Sequence, residues 1–512
     1  MSRFWKKLCK KKYQRGKETN LEISLIDSQT AIESRGKLDI AEFELQHFDY
    51  RYMVKSEEAE DKWNGWLKPS CIPITIILIL IILVVILPLL DDKDAQKKKG
   101  SKDVSYGGWN NCSDSCFLTI VENVPKDLKN LSLSPLHNSI TSGLQDLLEK
   151  AQKSLDIVTT NWNLPSASLE ENVNKLYEEL ERAVNEKGVQ FRIVRNDPFV
   201  SSNNQNDLFN SGNVEIRNID LGRLQGSGSV TSQLWIVDDL HLYIGSSSLD
   251  WMTIGQMKDI GVIIYNCSCL AEDLQKIFQL YWTLAGPDVK IPSDWPSSLE
   301  TTINKEVPLS VNINDTFTQI YFSNSPNILC PKGRSSNVDS VIDIISKAKH
   351  YIYISVMDYI PAMCINKNIH YWSAFDEALR KAAVEKKISV KILATYWKNT
   401  HPSMIYFLKS LAVLNSSMIH IDVKLFQFPS NTKISMSLNR VNRNSFVVTD
   451  NDVYLSTFGW SGDSFLNTAG LGMIINQSQN DTTKYQPIRQ QFQTIFLRDW
   501  MSVYAHPLSD FG

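Results

Sequence analysis

Thr231 to Trp251 reads TSQLWIVDDLHLYIGSSSLDW: two short apolar strands around an Asp-Asp turn, closing on a glycine and three serines. β-Branched and aromatic residues bounded by turn residues predict a strand pair, and the glycine turn places Gly245 to Ser248 at a strand end. Such a frame should end at a working site, yet no catalytic base stands in it. The stretch occurs twice. Arg443 to Trp460 carries FVVTDNDVYLSTFG (Phe446 to Gly459), again an apolar run, an aspartate, then a tyrosine and an apolar residue before a small-residue turn.

Two further segments repeat around it. LQDLLEKAQKSLDIVTTNW (Leu144 to Trp162) is a helical pattern feeding a strand, and VIDIISKAKHYIYISVMDY (Val341 to Tyr359) has the same pattern nearly two hundred positions later. Each is followed by an amphipathic helix, Leu169 to Gly188 and Ser373 to Lys387, and then by a short apolar strand, VQFRIV (Val189 to Val194) and SVKILA (Ser389 to Ala394). Alternating strands and helices predict an α/β sheet with helices on its faces. A repeat this long is too large for a solenoid unit and fits a duplicated domain. The fold class expected is therefore α/β, two halves packed about a pseudo-twofold axis with the matching strands meeting at the interface.

With 512 residues, 43% apolar and 21% charged, the chain can bury a large core. Its 53 basic and 56 acidic side chains leave a net charge of −3, so no basic surplus advertises nucleic acid. CIPITIILILIILVVILPLL, Cys71 to Leu90, contains no charge, and at about 1.5 Å per residue it matches the roughly 30 Å of a bilayer core. We read it as one transmembrane helix, against a buried core helix or a cleaved signal peptide, for which it lies too far along the chain. Lysines and arginines near its two ends balance. The basic N-terminus RFWKKLCKKKYQRGK favours the cytosol before the span. All seven Asn-X-Ser/Thr sequons (Asn111, Asn130, Asn266, Asn314, Asn415, Asn476 and Asn480) follow it.

Six of the eight cysteines also follow the span. Cys112 and Cys116, with Cys267 and Cys269 some 150 residues on, suit two side-by-side disulfides in an oxidising lumen. A zinc site is the alternative, but Cys-x-Cys fits zinc spacing poorly. Cys330 and Cys364 either pair with each other or have lost a partner. The organisation expected is a cytosolic tail over 1–70 and a signal-anchor helix over 71–91. A stalk and the start of the lumenal body follow over 92–135, then a first half over 136–300, a linker over 301–335 and a second half over 336–512. The protein is then a type II single-pass membrane glycoprotein. YRYM (Tyr50 to Met53) has the form of a tyrosine sorting signal.

The two strand-turn units resemble the signature of the phospholipase D superfamily, His-x-Lys-x4-Asp followed by Gly-Ser-x-Asn, once per half. The resemblance covers about residues 105 to 500. YNCSCLAEDL, YFSNSPNILCPKGR and SVMDY, behind one N-terminal span, are similar to its membrane-anchored branch of members three, four and five. What it implies is a mechanism in which one histidine attacks phosphorus, the other protonates the leaving oxygen, and lysines and asparagines hold the phosphate, with no metal or other cofactor. Here Thr231 stands for the first histidine, Gln233 for lysine and Ser248 for asparagine, while Asp238, Gly245 and Ser246 remain. In the second half Arg443 replaces histidine, Ser445 lysine and Gly459 asparagine, with Asp450 retained and Ser456 for the turn glycine.

Arginine is protonated at any accessible pH and serves neither as nucleophile nor as acid, and Thr231 has only neutral Gln233 beside it. Loss of acid-base catalysis alone forfeits about 10² to 10⁴ in rate. In these departures the chain is more like the inactive fifth member, which implies a binding or regulatory pseudoenzyme. The competing reading is residual phosphodiesterase activity on single-stranded nucleic acid or phospholipid. Partners expected are the membrane, a second copy or an active relative, and an anion paired by Arg443, unless Arg443 forms an ion pair with Asp238 or Asp450 instead. His241 at the strand turn is a candidate to stand in for the lost base, and with His350, Asp358, Tyr359, Trp251 and Trp460 it borders the motifs; the tryptophans either line a cleft or pack in the core, and core packing is favoured. No Walker loop, dinucleotide fingerprint or HExxH occurs.

Overall fold

Ser139 and Ser336 do the same job in two places. Each hydroxyl accepts the amide of the residue three positions on, Ser142 at 3.0 Å and Asp339 at 3.1 Å, and so caps a helix. The computed structural model describes residues 111–128, 131, 137–164, 171–196, 212–365, 368–429, 440–477 and 485–511. The predicted span, the tyrosine signal, Asn130 and Asn480 lie outside them. Among the described residues no helix is long and apolar enough to cross a membrane.

In the first half the chain runs β1 (Asn111–Asn123), α1 (Ile140–Lys150), β2 (Ser154–Thr159), β3 (Trp162–Asn163), α2 (Glu171–Asn185), β4 (Gln190–Asn196) and β5 (Val214–Ile219). It continues through α3 (Leu221–Gln225), β6 (Leu234–Val237), β7 (His241–Gly245), β8 (Leu249–Asp250), α4 (Trp251–Gln256), β9 (Asp259–Tyr265) and α5 (Ser268–Leu284). A hairpin follows, β10 (Leu309–Ile313) and β11 (Thr316–Ser325), then β12 (Ser335–Ser336) and α6 (Asn337–Lys347). The second half has β13 (Tyr351–Val356), β14 (Tyr359–Ile360), a hairpin of β15 (Ala362–Ile365) and β16 (Asn368–Tyr371), α7 (Ala374–Glu385), β17 (Ser389–Tyr396), α8 (Pro402–Ala412) and β18 (Ile421–Gln427). Last come β19 (Phe446–Thr449), β20 (Asp452–Ser456), β21 (Trp460–Ser461), α9 (Gly462–Leu466), β22 (Gly470–Gln477), α10 (Ile488–Trp500) and β23 (Ala505–Pro507).

The registers give each half one mixed sheet in one order. The first is β5-β4-β2-β6-β7-β9-β1, with β2, β4 and β5 parallel and the rest antiparallel. The second, β18-β17-β13-β19-β20-β22-β11, repeats it strand for strand, and β10 joins the two by pairing parallel to β1 and antiparallel to β11. The duplication read from the sequence is thus a duplication of topology.

Three boundaries move. Residues 301–335 are not a linker: β10 and β11 lie inside the sheet, and β11 is the second half's counterpart of β1. The first half likewise begins at β1, ahead of residue 136. The hairpin loop is Asn314-Asp315, both with positive φ (53° and 59°), as a two-residue turn between twisted strands requires. That turn also removes Asn314 from the acceptor sequons. The residue is 7% exposed, and its side chain accepts the Leu118 amide at 2.9 Å and donates to the Leu118 carbonyl at 2.8 Å, so its amide nitrogen is engaged within the fold. Asn266 and Asn415 are exposed, and Asn476 donates to Asp452 at 2.8 Å.

Packing follows the expected faces. α2 turns Val173, Leu176, Tyr177, Leu180, Ala183 and Val184 to the core, a 3.6-residue stripe in which each large side chain contributes about 1.5–3 kcal/mol. One symmetric device escaped the sequence reading. Phe278 and Trp282 stack on α5 as Phe496 and Trp500 do on α10. Strand cations lie over each tryptophan ring: Arg217 at 4.0 Å from Trp282, and Lys424 and Lys391 at 4.9 and 5.2 Å from Trp500.

The cysteines form two disulfides, Cys112–Cys269 and Cys116–Cys267. Because β1 runs antiparallel to β9, with Phe117 opposite Tyr265, inner pairs with inner and outer with outer. These sulfurs are therefore not zinc ligands. Cys330 and Cys364 are not bonded to each other.

Candidate functional site

Both motif aspartates turn away from the site. Asp238 accepts the amides of Gln152, Lys153 and Ser154 at 2.8–2.9 Å, and Asp450 accepts those of Lys349, His350 and Tyr351 at 2.6–3.2 Å. Each staples the junction between its half's capped helix and the strand that follows it, β2 or β13. Three amides on one carboxylate is the arrangement that favours its charged form, and Asp450 is held below its usual range although burial alone raises it. Their survival where the neighbouring motif residues changed is explained by folding, not by chemistry.

The remaining motif positions meet where the halves abut. Thr231 and Ser232 donate their amides to the Ala469 carbonyl (2.9 and 3.2 Å), and symmetrically Arg443 donates its amide to the Lys258 carbonyl at 2.8 Å. The two positions where the superfamily carries histidine are thereby sewn to the opposite halves. Arg443 does not pair with Asp238 or Asp450. Its Nε donates to Asp259 Oδ1 at 2.9 Å and its Nη2 to Oδ2 at 3.2 Å, a two-pronged bond to a fully buried carboxylate at the start of β9. Ser246 Oγ donates to the same Oδ1 at 2.7 Å.

The other replacements are consumed locally. Gln233 Nε2 donates to Thr160 Oγ1 at 2.5 Å, and Ser248 Oγ lies 3.2 Å from Thr253 Oγ1. Ser445 Oγ sits 2.6 Å from Ser456 Oγ and donates to the Phe458 carbonyl at 2.5 Å. Thr231 Oγ1 donates to the Ala469 carbonyl at 3.4 Å, so its hydroxyl faces an acceptor and no base.

His241 does not replace the lost imidazoles. It opens β7 whereas Gly245 closes it, about 13 Å away at roughly 3.3 Å per residue. Its Nδ1 accepts the Asn266 amide at 3.1 Å, its ring packs on Tyr265, and burial lowers its pKa. His350 is 80% exposed beside Asp450. Trp460 is fully buried against Phe375 and Phe465, while Trp251 lies partly buried beside the core of the first half.

Asp358 does border the site. It is 8% exposed, and its Oδ2 lies 3.6 Å from where a Cβ on Gly459 would stand. Burial pushes its carboxyl up from the ordinary 3.8 to about 6. The folded value lies above the unfolded one, so this group's contribution to stability is complete at low pH and is lost as pH rises from about 4 to about 6. Two units amount to about 3 kcal/mol. Asp358→Asn is expected to remove that slope, read from urea midpoints at pH 4 and pH 7.

What the sequence reading missed is the acidic half of the interface. Lys258 and Asp499 are both fully buried and 2.6 Å apart across the halves. Arg498 donates to Asp499 at 2.8 Å and grips both oxygens of Glu122 at 2.8 Å each. A lysine and an aspartate heading the apolar run DIGVIIY were the available signal, since buried charges need partners.

Fold and site together define a duplicated α/β phospholipase D-like protein with mixed sheets. A family described as "PLD3/4, PLD-like domain" matches residues 131–431. The chain belongs to that family. It is 38% identical over 404 residues to the 5'-3' exonuclease PLD3 of Xenopus laevis, covering 77% of this chain and 81% of the relative. It is 36% identical over 411 residues to the 5'-3' exonuclease PLD4 of Mus musculus (77% and 80% covered), and 35% over 410 residues to inactive phospholipase D5 of Homo sapiens (78% and 75%). Among solved structures, phosphatidylserine synthase of Haemophilus influenzae Rd KW20 superposes with a TM-score of 0.52 at 10% identity, over 78% of this chain and 90% of that one, which is a likeness of fold.

Proposed function

We propose that this chain is a catalytically inactive phospholipase D-like protein, a single-pass type II membrane glycoprotein that acts by binding. One observation carries the reading: the side chain at the second histidine position is a guanidinium held on buried Asp259, and no imidazole stands at the first. A phosphohistidine has no residue to form on, and no group is placed to protonate the leaving oxygen. The exposed sequons Asn266 and Asn415 and the two disulfides support a lumenal or extracellular body.

The names of the PLD3 and PLD4 relatives favour a second reading, 5'-3' exonuclease. Both are tested by incubating the full-length protein with a 5'-hydroxyl single-stranded oligonucleotide and with phosphatidylcholine vesicles, beside an active relative. Turnover is expected at least about 10⁴-fold below that relative, since nucleophile, acid and phosphate clamps are all absent. Hydrolysis well above background that disappears in Thr231→Val would establish the exonuclease or lipase reading instead.

A further inference from the structure

Two of the sequons share their middle residue with the disulfides. Asn111-Cys112-Ser113 and Asn266-Cys267-Ser268 are both Asn-Cys-Ser, and their cysteines belong to different bonds, Cys112–Cys269 and Cys116–Cys267. An oligosaccharide transferase reads the asparagine and the hydroxyl two residues on from a free segment of chain. Around Asn266 the fold leaves no such segment. Cys267 is fully buried, and its amide donates to the Leu240 carbonyl at 2.9 Å. Ser268 donates both its amide and its hydroxyl to Asp114 Oδ2 at 2.7 Å, and Asp114 lies on β1 between Cys112 and Cys116. Asn266 itself is held with a left-handed φ of 53°, its amide donating to His241 Nδ1 at 3.1 Å. The residue is exposed, so a glycan attached beforehand has room once the fold closes.

Chain order makes the two sites unequal. Cys112 is made 157 residues ahead of Cys269, and at about 5–20 residues per second its sequon waits about 8–30 s for that partner. Asn266 has no such interval, because Asp114 and Cys116 are already in place when Cys267 emerges, 151 residues after Cys116. In transfer, the Asn266 amide nitrogen attacks C1 of a polyprenyl-diphosphate-linked oligosaccharide: an N–C bond forms, the C–O bond to diphosphate breaks, and an amide proton is released. In closure, the Cys116 and Cys267 thiols pass two electrons and two protons to an oxidant disulfide, which leaves as two thiols. Closure first shuts out transfer, whereas transfer first leaves closure open.

We propose that disulfide closure and glycan attachment compete for the tripeptide at Asn266, so that Asn111 is filled in nearly every chain and Asn266 in a minority. The proposal rests on the lumenal reading of the body. The full-length protein is made in cells with a secretory pathway, and site occupancy is read by peptide mass spectrometry after glycosidase release. Asn415, whose Asn-Ser-Ser tripeptide holds no cysteine, is the internal reference. Cys116→Ser should raise Asn266 occupancy at least about twofold while Asn415 stays the same. Dithiothreitol present during synthesis of the unaltered chain should do likewise, which frees the result from any folding failure of the variant. Asn266 filled as fully as Asn111 in the unaltered chain, occupancy at Asn266 that either treatment leaves unmoved, or a rise matched at Asn415 would overturn the proposal alone. A chain bare at Asn111, Asn266 and Asn415 would overturn the lumenal reading and the proposal with it.

Discussion

Arg443→Ala is expected to cost the fold about 3–5 kcal/mol and to change phosphodiester hydrolysis not at all. The guanidinium is 21% exposed but its partner Asp259 is 0% exposed, so truncation strands a buried carboxylate with, among the described residues, only the Ser246 hydroxyl as side-chain donor. Breaking one side of a buried pair is far more costly than removing both, because the remaining charge keeps its desolvation penalty. The double variant Arg443→Met with Asp259→Leu should therefore recover most of the loss. Urea unfolding of the full-length protein measures each. If Arg443 instead faced a ligand and did nothing for the fold, the single variant would unfold at the wild-type midpoint, and the structural assignment of this residue would be lost.

The second large effect lies at Lys258 and Asp499. Asp499→Ala leaves a fully buried ammonium without its carboxylate and deprives Arg498 of one of its two acid partners. The expected loss is again about 3–5 kcal/mol. Lys258→Met in the same chain should return part of it, and the non-additivity of the cycle reports the coupling between the halves. Full additivity would mean that the two residues do not share an interaction. Because the pair joins the residue that precedes β9 in one half to α10 of the other, its loss is expected to broaden the unfolding transition by loosening one half from its partner.

These partners were not readable in advance. The sequence suggests an anion or Asp238 or Asp450 as the partner of Arg443, whereas both aspartates are spent on backbone amides at the helix-to-strand junctions and the partner in the fold lies 184 positions away. An aspartate heading an apolar strand looks like any strand boundary until the other half arrives. The misplaced linker has a different cause. LSVNINDTFTQIYF alternates weakly and carries a sequon at its centre, which obscured the Asn-Asp hairpin turn that the two positive φ values reveal. The glycine turn, the helix caps and the cysteine spacing were legible because each is a local requirement on one or two residues.

By itself the sequence determined the duplication, the α/β class and the absence of imidazole from both motifs, because periodicity, turn chemistry and residue identity are properties of short stretches. Only the tertiary structure decided which charge answers which. Burial sets the worth of a charge and proximity sets its partner, and both arise only once β9 of one half and the second motif of the other close on each other.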